Sequence, residues 1–82
     1  MKTIFIDGRD YKDAQALHEG FARLLKLPAY YGKNADALHD CLAEMGETVN
    51  LTVFHAGNDD VALALTKCAN AMEDLGGEIK GL

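Results

Sequence analysis

The run Glu47–Lys80, ETVNLTVFHAGNDDVALALTKCANAMEDLGGEIK, decides the fold. Its opening, ETVNLTVFH (Glu47–His55), is rich in β-branched residues, has no glycine or proline, and predicts an inner strand. Ala56-Gly57-Asn58 turns the chain, and Asn58 is placed to cap a long helix. Val61, Leu65, Cys68, Met72 and Leu75 recur at steps of three and four and mark the buried face of that helix. Gly76-Gly77 ends it, and Glu78–Leu82 (EIKGL) reads as a short, weak last strand. A strand, a helix and a strand in succession favour a parallel pair with the helix packed on the sheet.

Towards the amino terminus, KTIFID (Lys2–Asp7) is a second clear strand signal, and Asp7-Gly8 follows as a turn. Asp13–Leu27 has helical spacing through Ala14, Leu17, Phe21, Leu24 and Leu25, with Asp13 as N-cap. Gly20 weakens this helix, and Pro28 stops it because the residue before proline disfavours the helical region. Ala29–Lys33 is a loop. Asn34 caps a second helix, Ala35 to about Met45, and Gly46 is its stop. The order is β-α-α-β-α-β. It predicts a single α/β domain over residues 1–82, a small three-stranded parallel sheet packed with helices.

The second helix carries the chemistry. At about 100° per residue, Leu38, Cys41, Leu42 and Met45 fall on one side, and Asp36, His39, Asp40, Ala43 and Glu44 on the other. Asp36 and Asp40 lie one turn apart, a like-charge pair that costs an isolated helix a few tenths of a kcal/mol. The helix dipole relieves Asp36 in the first turn and helps Asp40 much less. Read plainly, this is a solvated acidic face. Read sharply, it is a docking surface for something basic, extended by Tyr30 and Tyr31, since interfaces are enriched in tyrosine. One of the two tyrosines is expected to pack in the core with its hydroxyl bonded. Asp74, on the third helix, reads as lying outside the face.

Composition narrows the partner. The 82 residues hold 13 acids against 8 bases, a formal net charge of −5, and the basic residues are scattered. A general nucleic-acid binder needs a basic stripe, and none is visible. An acidic surface attracts basic partners over long range. The composition, 49% hydrophobic and 26% charged, argues against disorder. A chain this short buries only about 60% of the surface it exposes when unfolded, so its core is thin. The early apolar run Ile4-Phe5-Ile6 is too short for a signal peptide or a membrane span, so the chain reads as cytoplasmic, without membrane contact, and monomeric when free. Cys41 and Cys68 fit no CxxC spacing and read as reduced, buried hydrophobes.

The segment LPAYYGKNADALHDCL (Leu27–Leu42) closely resembles the signature of the barstar family, intracellular inhibitors of barnase-type ribonucleases. The shared pattern is L-P-x-Y-Y-G-x-N-x-D-A-L-x-D-C-L. A looser likeness covers the first strand and helix, including Leu17-His18, and resumes faintly near Gly76–Ile79. The resemblance implies a small α/β domain whose second helix and preceding loop plug the ribonuclease's basic active-site cleft, with carboxylates in the places of RNA phosphates. Carried over by position, Tyr30 packs on an active-site group, and Asn34 combines capping with a polar contact. Asp36 pairs with a basic side chain at the cleft edge, and Asp40 inserts among arginine, lysine and histidine. The weight given to Asp40 comes with the resemblance, because the matching barstar aspartate is an established hot spot. The expected docking set is Tyr30, Tyr31, Asn34, Asp36, His39, Asp40, Ala43 and Glu44.

This sequence departs from the family at the rim. His39 stands where barstar has tryptophan, Ala43 and Glu44 replace threonine and glycine, and Met45 replaces another tryptophan. A partner-reaching glutamate falls at Ala71. The stretch after the second strand is several residues shorter, so one short helix of the archetype is expected to be missing. These changes open the alternative of an interaction or immunity module that binds a different basic protein or toxin.

Two other classes are weighed and set aside. Cys41, His39 and Asp40 suggest a nucleophile set. Cys41, however, points to the buried side, and a catalytic thiol needs an electropositive, accessible setting. His18, His39 and His55 lie on separate elements without ligand spacing, so neither a metal nor another cofactor is expected. His18 reads as a partly buried, hydrogen-bonded helix residue and His55 as a surface residue at a strand end.

Overall fold

A computed structural model describes every residue, Met1–Leu82. Strand β1 is Lys2–Asp7, helix α1 Ala14–Leu25, helix α2 Ala35–Met45, strand β2 Val49–His55, helix α3 Asp59–Asp74 and strand β3 Ile79–Lys80. A short 3-10 turn, Gly8–Asp10, follows β1. The order β-α-α-β-α-β is the one predicted. Strand β2 lies in the centre, parallel to both β1 and β3, in a three-stranded sheet.

The register explains the alternation in the strands. Ile4 pairs with Leu51, Ile6 with Val53, and Leu51 with Ile79, so these side chains form one apolar surface. That surface is buried against the helices, whereas Thr3, Phe5 and Phe54 face outwards. Parallel sheets are usually covered on both faces; this one is covered on one. Phe5 and Phe54, each 61% exposed, stack across the open face with ring centroids 6.1 Å apart.

The caps predicted for all three helices are in place. Asp13, Asn34 and Asn58 each accept the amide three residues on, from Ala16, Ala37 and Val61, at 2.8 to 2.9 Å. Helix α1 stops earlier than Pro28 requires, because Lys26 turns left-handed at φ 52° and its amide closes on Ala22 and Arg23. Gly46, at φ 64°, stops α2 as a glycine C-cap. Gly20, costly to α1 by propensity, has a packing reason. A Cβ there would lie 2.6 Å from the ring of Tyr11, so the residue must be glycine for that ring to seat.

Two apolar assignments are corrected. Leu24 and Met45 are 45% and 43% exposed. The seam of α1 runs through Leu17, Phe21 and Leu25, and Leu24 falls at its edge. Met45 is the last residue of α2, beyond the contact made by Leu38 and Leu42. On α3, Val61, Leu65, Cys68 and Met72 are fully buried as read. Both cysteines are free and buried, and burial pushes the Cys68 thiol up to about 12.

His18 is 5% exposed, and its Nδ1 shares a hydrogen with the Tyr31 hydroxyl at 2.5 Å. Burial lowers its pKa from the ordinary 6.5. The fold therefore favours the neutral His18 ring, and the unfolded chain takes up the proton more readily. The unfolded state binds more protons in that window, so stability is full above about 6.5 and falls as pH drops towards the depressed folded value. Urea denaturation at pH 7.5 and 5.5 should show the loss, at most about 1.4 kcal/mol per pH unit. His18→Gln, which keeps an acceptor for Tyr31, should flatten the difference; an unchanged slope would remove His18 as its cause.

Candidate protein-docking surface

Helix α2 presents Asp36, Asp40 and Glu44 at successive turns, all exposed. Each neighbouring pair repels at i, i+4 spacing, and Glu44 sits in the last turn, where the dipole disfavours an anion. No lysine or arginine pairs with any of the three: the ion pairs of the chain are Met1 amino–Glu47 and Arg9–Asp7, and beside the stripe only the His39 imidazole approaches Asp40 and Asp74. The stripe is an uncompensated row of anions.

The loop before α2 separates the two tyrosines. Tyr31 is 6% exposed, belongs to the apolar core and bonds His18 through its hydroxyl. Burial, with lesser help from Cys68 and Cys41, raises its phenol pKa well above the ordinary range. The expectation that the Tyr31 side chain lies on the docking surface is therefore corrected, because that ring fills the core. Tyr30 is the exposed partner at 71%, and its hydroxyl donates to Glu44 Oε2 at 2.9 Å. This bond raises the Tyr30 pKa and lays the loop back along the last turn of α2. Tyr30 and the acidic stripe thus form one continuous surface. Ala43 is exposed beside Glu44.

Asn34 is occupied by capping: Oδ1 accepts from Ala37 and Nδ2 donates to the Gly32 carbonyl at 3.4 Å. His39 is half-buried rather than free. Its Nε2 bonds Asp74 Oδ2 at 2.7 Å, and its Nδ1 lies 4.0 Å from Asp40 Oδ1. Asp74 is therefore not outside the face: it meets α2 from α3 and adds a fourth carboxylate beside the stripe. The sequence carried no signal for this, because the contact spans 35 positions. Ala71, where the resemblance places a glutamate, is buried. In a double-mutant cycle of His39→Ala with Asp74→Ala, the coupling should be about 0.3–1 kcal/mol, the range of exposed pairs. Zero coupling would mean that the bond is not held in solution.

The catalytic and metal readings gain no support from this geometry. Cys41 is buried, and burial, then Glu44 and Asp40, push its thiol pKa upwards, away from a reactive thiolate. His18, His39 and His55 do not converge, and no group of three histidine, cysteine or carboxylate side chains is placed to hold a metal ion. No helix is long and apolar enough to cross a membrane.

The family model described as "Barstar (barnase inhibitor)" matches residues 1–80. A protein of Bacillus subtilis (strain 168), "Putative ribonuclease inhibitor YrdF", is 38% identical over 84 aligned residues, which cover 90% of this chain and 92% of that one. An α/β chain matched over this length, with the signature segment forming the loop and helix of an acidic surface that no lysine or arginine pairs, belongs to the barstar family.

Proposed function

We propose that this protein inhibits a barnase-type ribonuclease by seating the exposed face of α2, with Tyr30, in the enzyme's basic active-site cleft. The observation that carries the reading is the row Asp36, Asp40 and Glu44, joined by Asp74, with no lysine or arginine paired to it. A ribonuclease cleft is built to hold phosphates, and carboxylates on a rigid helix occupy the same sites. Repulsion that costs the free protein a little is relieved when cationic groups enter between the carboxylates. Local conflicts of this kind are expected where function demands them. Asp40, at the middle of the row, is the central contact, Asp36 and Glu44 flank it, and Tyr30 stacks at one end.

The rim supports a second reading within the same surface. Met45 is exposed where the family has tryptophan, and Ala71 offers no carboxylate. Such a rim fits a basic protein partner or toxin other than a barnase-type ribonuclease, bound through the same acids.

Measuring RNA cleavage by a barnase-type ribonuclease with increasing amounts of this protein separates the two. Loss of cleavage at equimolar ratio is expected, with association that slows steeply as salt is raised, since opposite charges steer the encounter. Full cleavage at a large excess would reject the ribonuclease and leave the second reading. A salt-independent association rate with a genuine partner would reject charge mimicry altogether.

A further inference from the structure

The amino-terminal turns of α1 and α2 and the first half of α3 line an open cavity of about 470 Å³. Leu63 and Ala64 give it an apolar wall, and two lysines, Lys33 and Lys67, also line it. Asp60 is the one carboxylate in the lining, and it accepts the Ala14 amide at 2.7 Å, which pins α1 to α3. The charge of the lining is then two positive groups against one negative, a net of one positive charge. Helix α2 begins at this cavity, and its Ala35 and Asp36 amides have no partner in the protein, because Asn34 takes those of Ala37 and Leu38.

His18 supplies an independent observation. It is nine-tenths buried and lines the cavity. Its Nδ1 is engaged with Tyr31, while its Nε2 has no partner. No side-chain nitrogen or oxygen sealed inside the protein is left unpaired, so Nε2 keeps some accessible surface, and the cavity is the space that His18 lines. The tautomer follows from Tyr31, whose buried hydroxyl has no other acceptor. It donates to Nδ1, and in the neutral ring the remaining proton sits on Nε2, a donor without a partner in the protein.

We propose that this cavity binds a small organic carboxylate with a short apolar body. Donors converge on it from His18 Nε2–H, the first turn of α2 and two lysines, and the single excess positive charge matches one carboxylate. The apolar wall takes the remainder of the ligand, and the size lies within the range of small-molecule sites. A phosphate dianion would leave a negative excess beside Asp60 and Asp36 and have nothing to place on Leu63 and Ala64. The site adjoins the docking surface at Asn34 and the first turn of α2, but it uses main-chain amides, His18 and two lysines rather than the acidic stripe, and it stands whether or not the partner is a ribonuclease.

Benzoate is the probe, with benzamide as its neutral counterpart and inorganic phosphate as the anion without an apolar body, each titrated into the ¹⁵N-labelled protein by NMR. Benzoate should give saturable shifts at the Ala35 and Asp36 amides and at the His18 ring. The double variant Lys33→Gln/Lys67→Gln, altered only at exposed positions, should fold as the parent and bind benzoate about tenfold more weakly, as two partly exposed ion pairs allow. Absence of saturable shifts overturns the site. Equal binding of benzamide, or unchanged affinity in the double variant, overturns the role of charge. Tighter binding of phosphate overturns the carboxylate class.

Discussion

Asp40→Ala should abolish tight partner binding while leaving the fold as stable as before, or slightly more so. The Asp40 side chain is 80% exposed, and the one basic side chain within 4.0 Å is the imidazole of His39. Removing it ends the repulsion with Asp36 and with Glu44, each worth a few tenths of a kcal/mol, and alanine is the better helix former by about half a kcal/mol. The exposed contact with His39 offsets little of that gain. In the complex the same change strips a carboxylate from a desolvated basic pocket and leaves cations without a partner. Truncations of that kind cost about 2–5 kcal/mol or more, roughly 30-fold to several-thousand-fold in affinity. Asp74 is unsuitable as the control because it touches His39. Asp10 is suitable: it is exposed in the turn after β1, which packs on β2 and α3. Asp10→Ala should bind within a factor of about two, as a remote charge change at the rim or beyond does. Calorimetric titration with the partner, alongside urea denaturation, compares the two variants. An Asp40→Ala protein that folds and binds like the parent would mean that α2 is not the docking surface.

What the sequence made legible was the order of elements and the exposed acidic face of α2. Both rest on local signals. Asn34 and Asn58 precede apolar runs of period near 3.6, Gly46 and Gly76 follow them, and Asp36, Asp40 and Cys41 fall on opposite sides of one helix by geometry alone. What it hid depended on contacts across the chain. Adjacent Tyr30 and Tyr31 look alike in composition; only His18, thirteen positions away, decides that Tyr31 is the core ring. The bond from His39 to Asp74 is set by how α3 crosses α2, which no periodicity encodes. The open face of the sheet was likewise invisible, because Phe5 and Phe54 are strong strand formers whether buried or not. Met45 and Leu24 were misplaced for the same reason: an apolar residue at the end or edge of a helical arc looks like core until the neighbouring element is seen to stop short.

Phe21→Ala should bring the protein close to unfolding, for a reason visible in where the other aromatic residues went. Three phenylalanines are available, and two of them, Phe5 and Phe54, stack on the uncovered face of the sheet. Phe21 is the only one in the core, at 0% exposure, edge-on to His18 with centroids 6.4 Å apart. Truncating a buried phenylalanine costs about 3–5 kcal/mol, because the transfer loss is joined by a cavity that neighbours only partly fill. At roughly 0.05–0.15 kcal/mol per residue, a domain of this length has about 4–12 kcal/mol in all. The single change thus consumes a large share of the whole, whereas Phe54→Ala, on the open face, should cost no more than about 1 kcal/mol. Urea denaturation of the two variants gives the comparison, and equal costs would mean that Phe21 is not the centre of the core. The same variant also separates stability from recognition. Binding by Phe21→Ala should be weakened only by the fraction of molecules unfolded, since its acidic stripe is intact. A stabilising osmolyte such as trimethylamine N-oxide, or excess partner, should restore it by mass action and by favouring the compact state. Neither should restore Asp40→Ala, whose molecules are folded and lack the group the partner needs. If osmolyte rescued Asp40→Ala as well, its defect would be one of folding, and the acidic stripe would lose its central role.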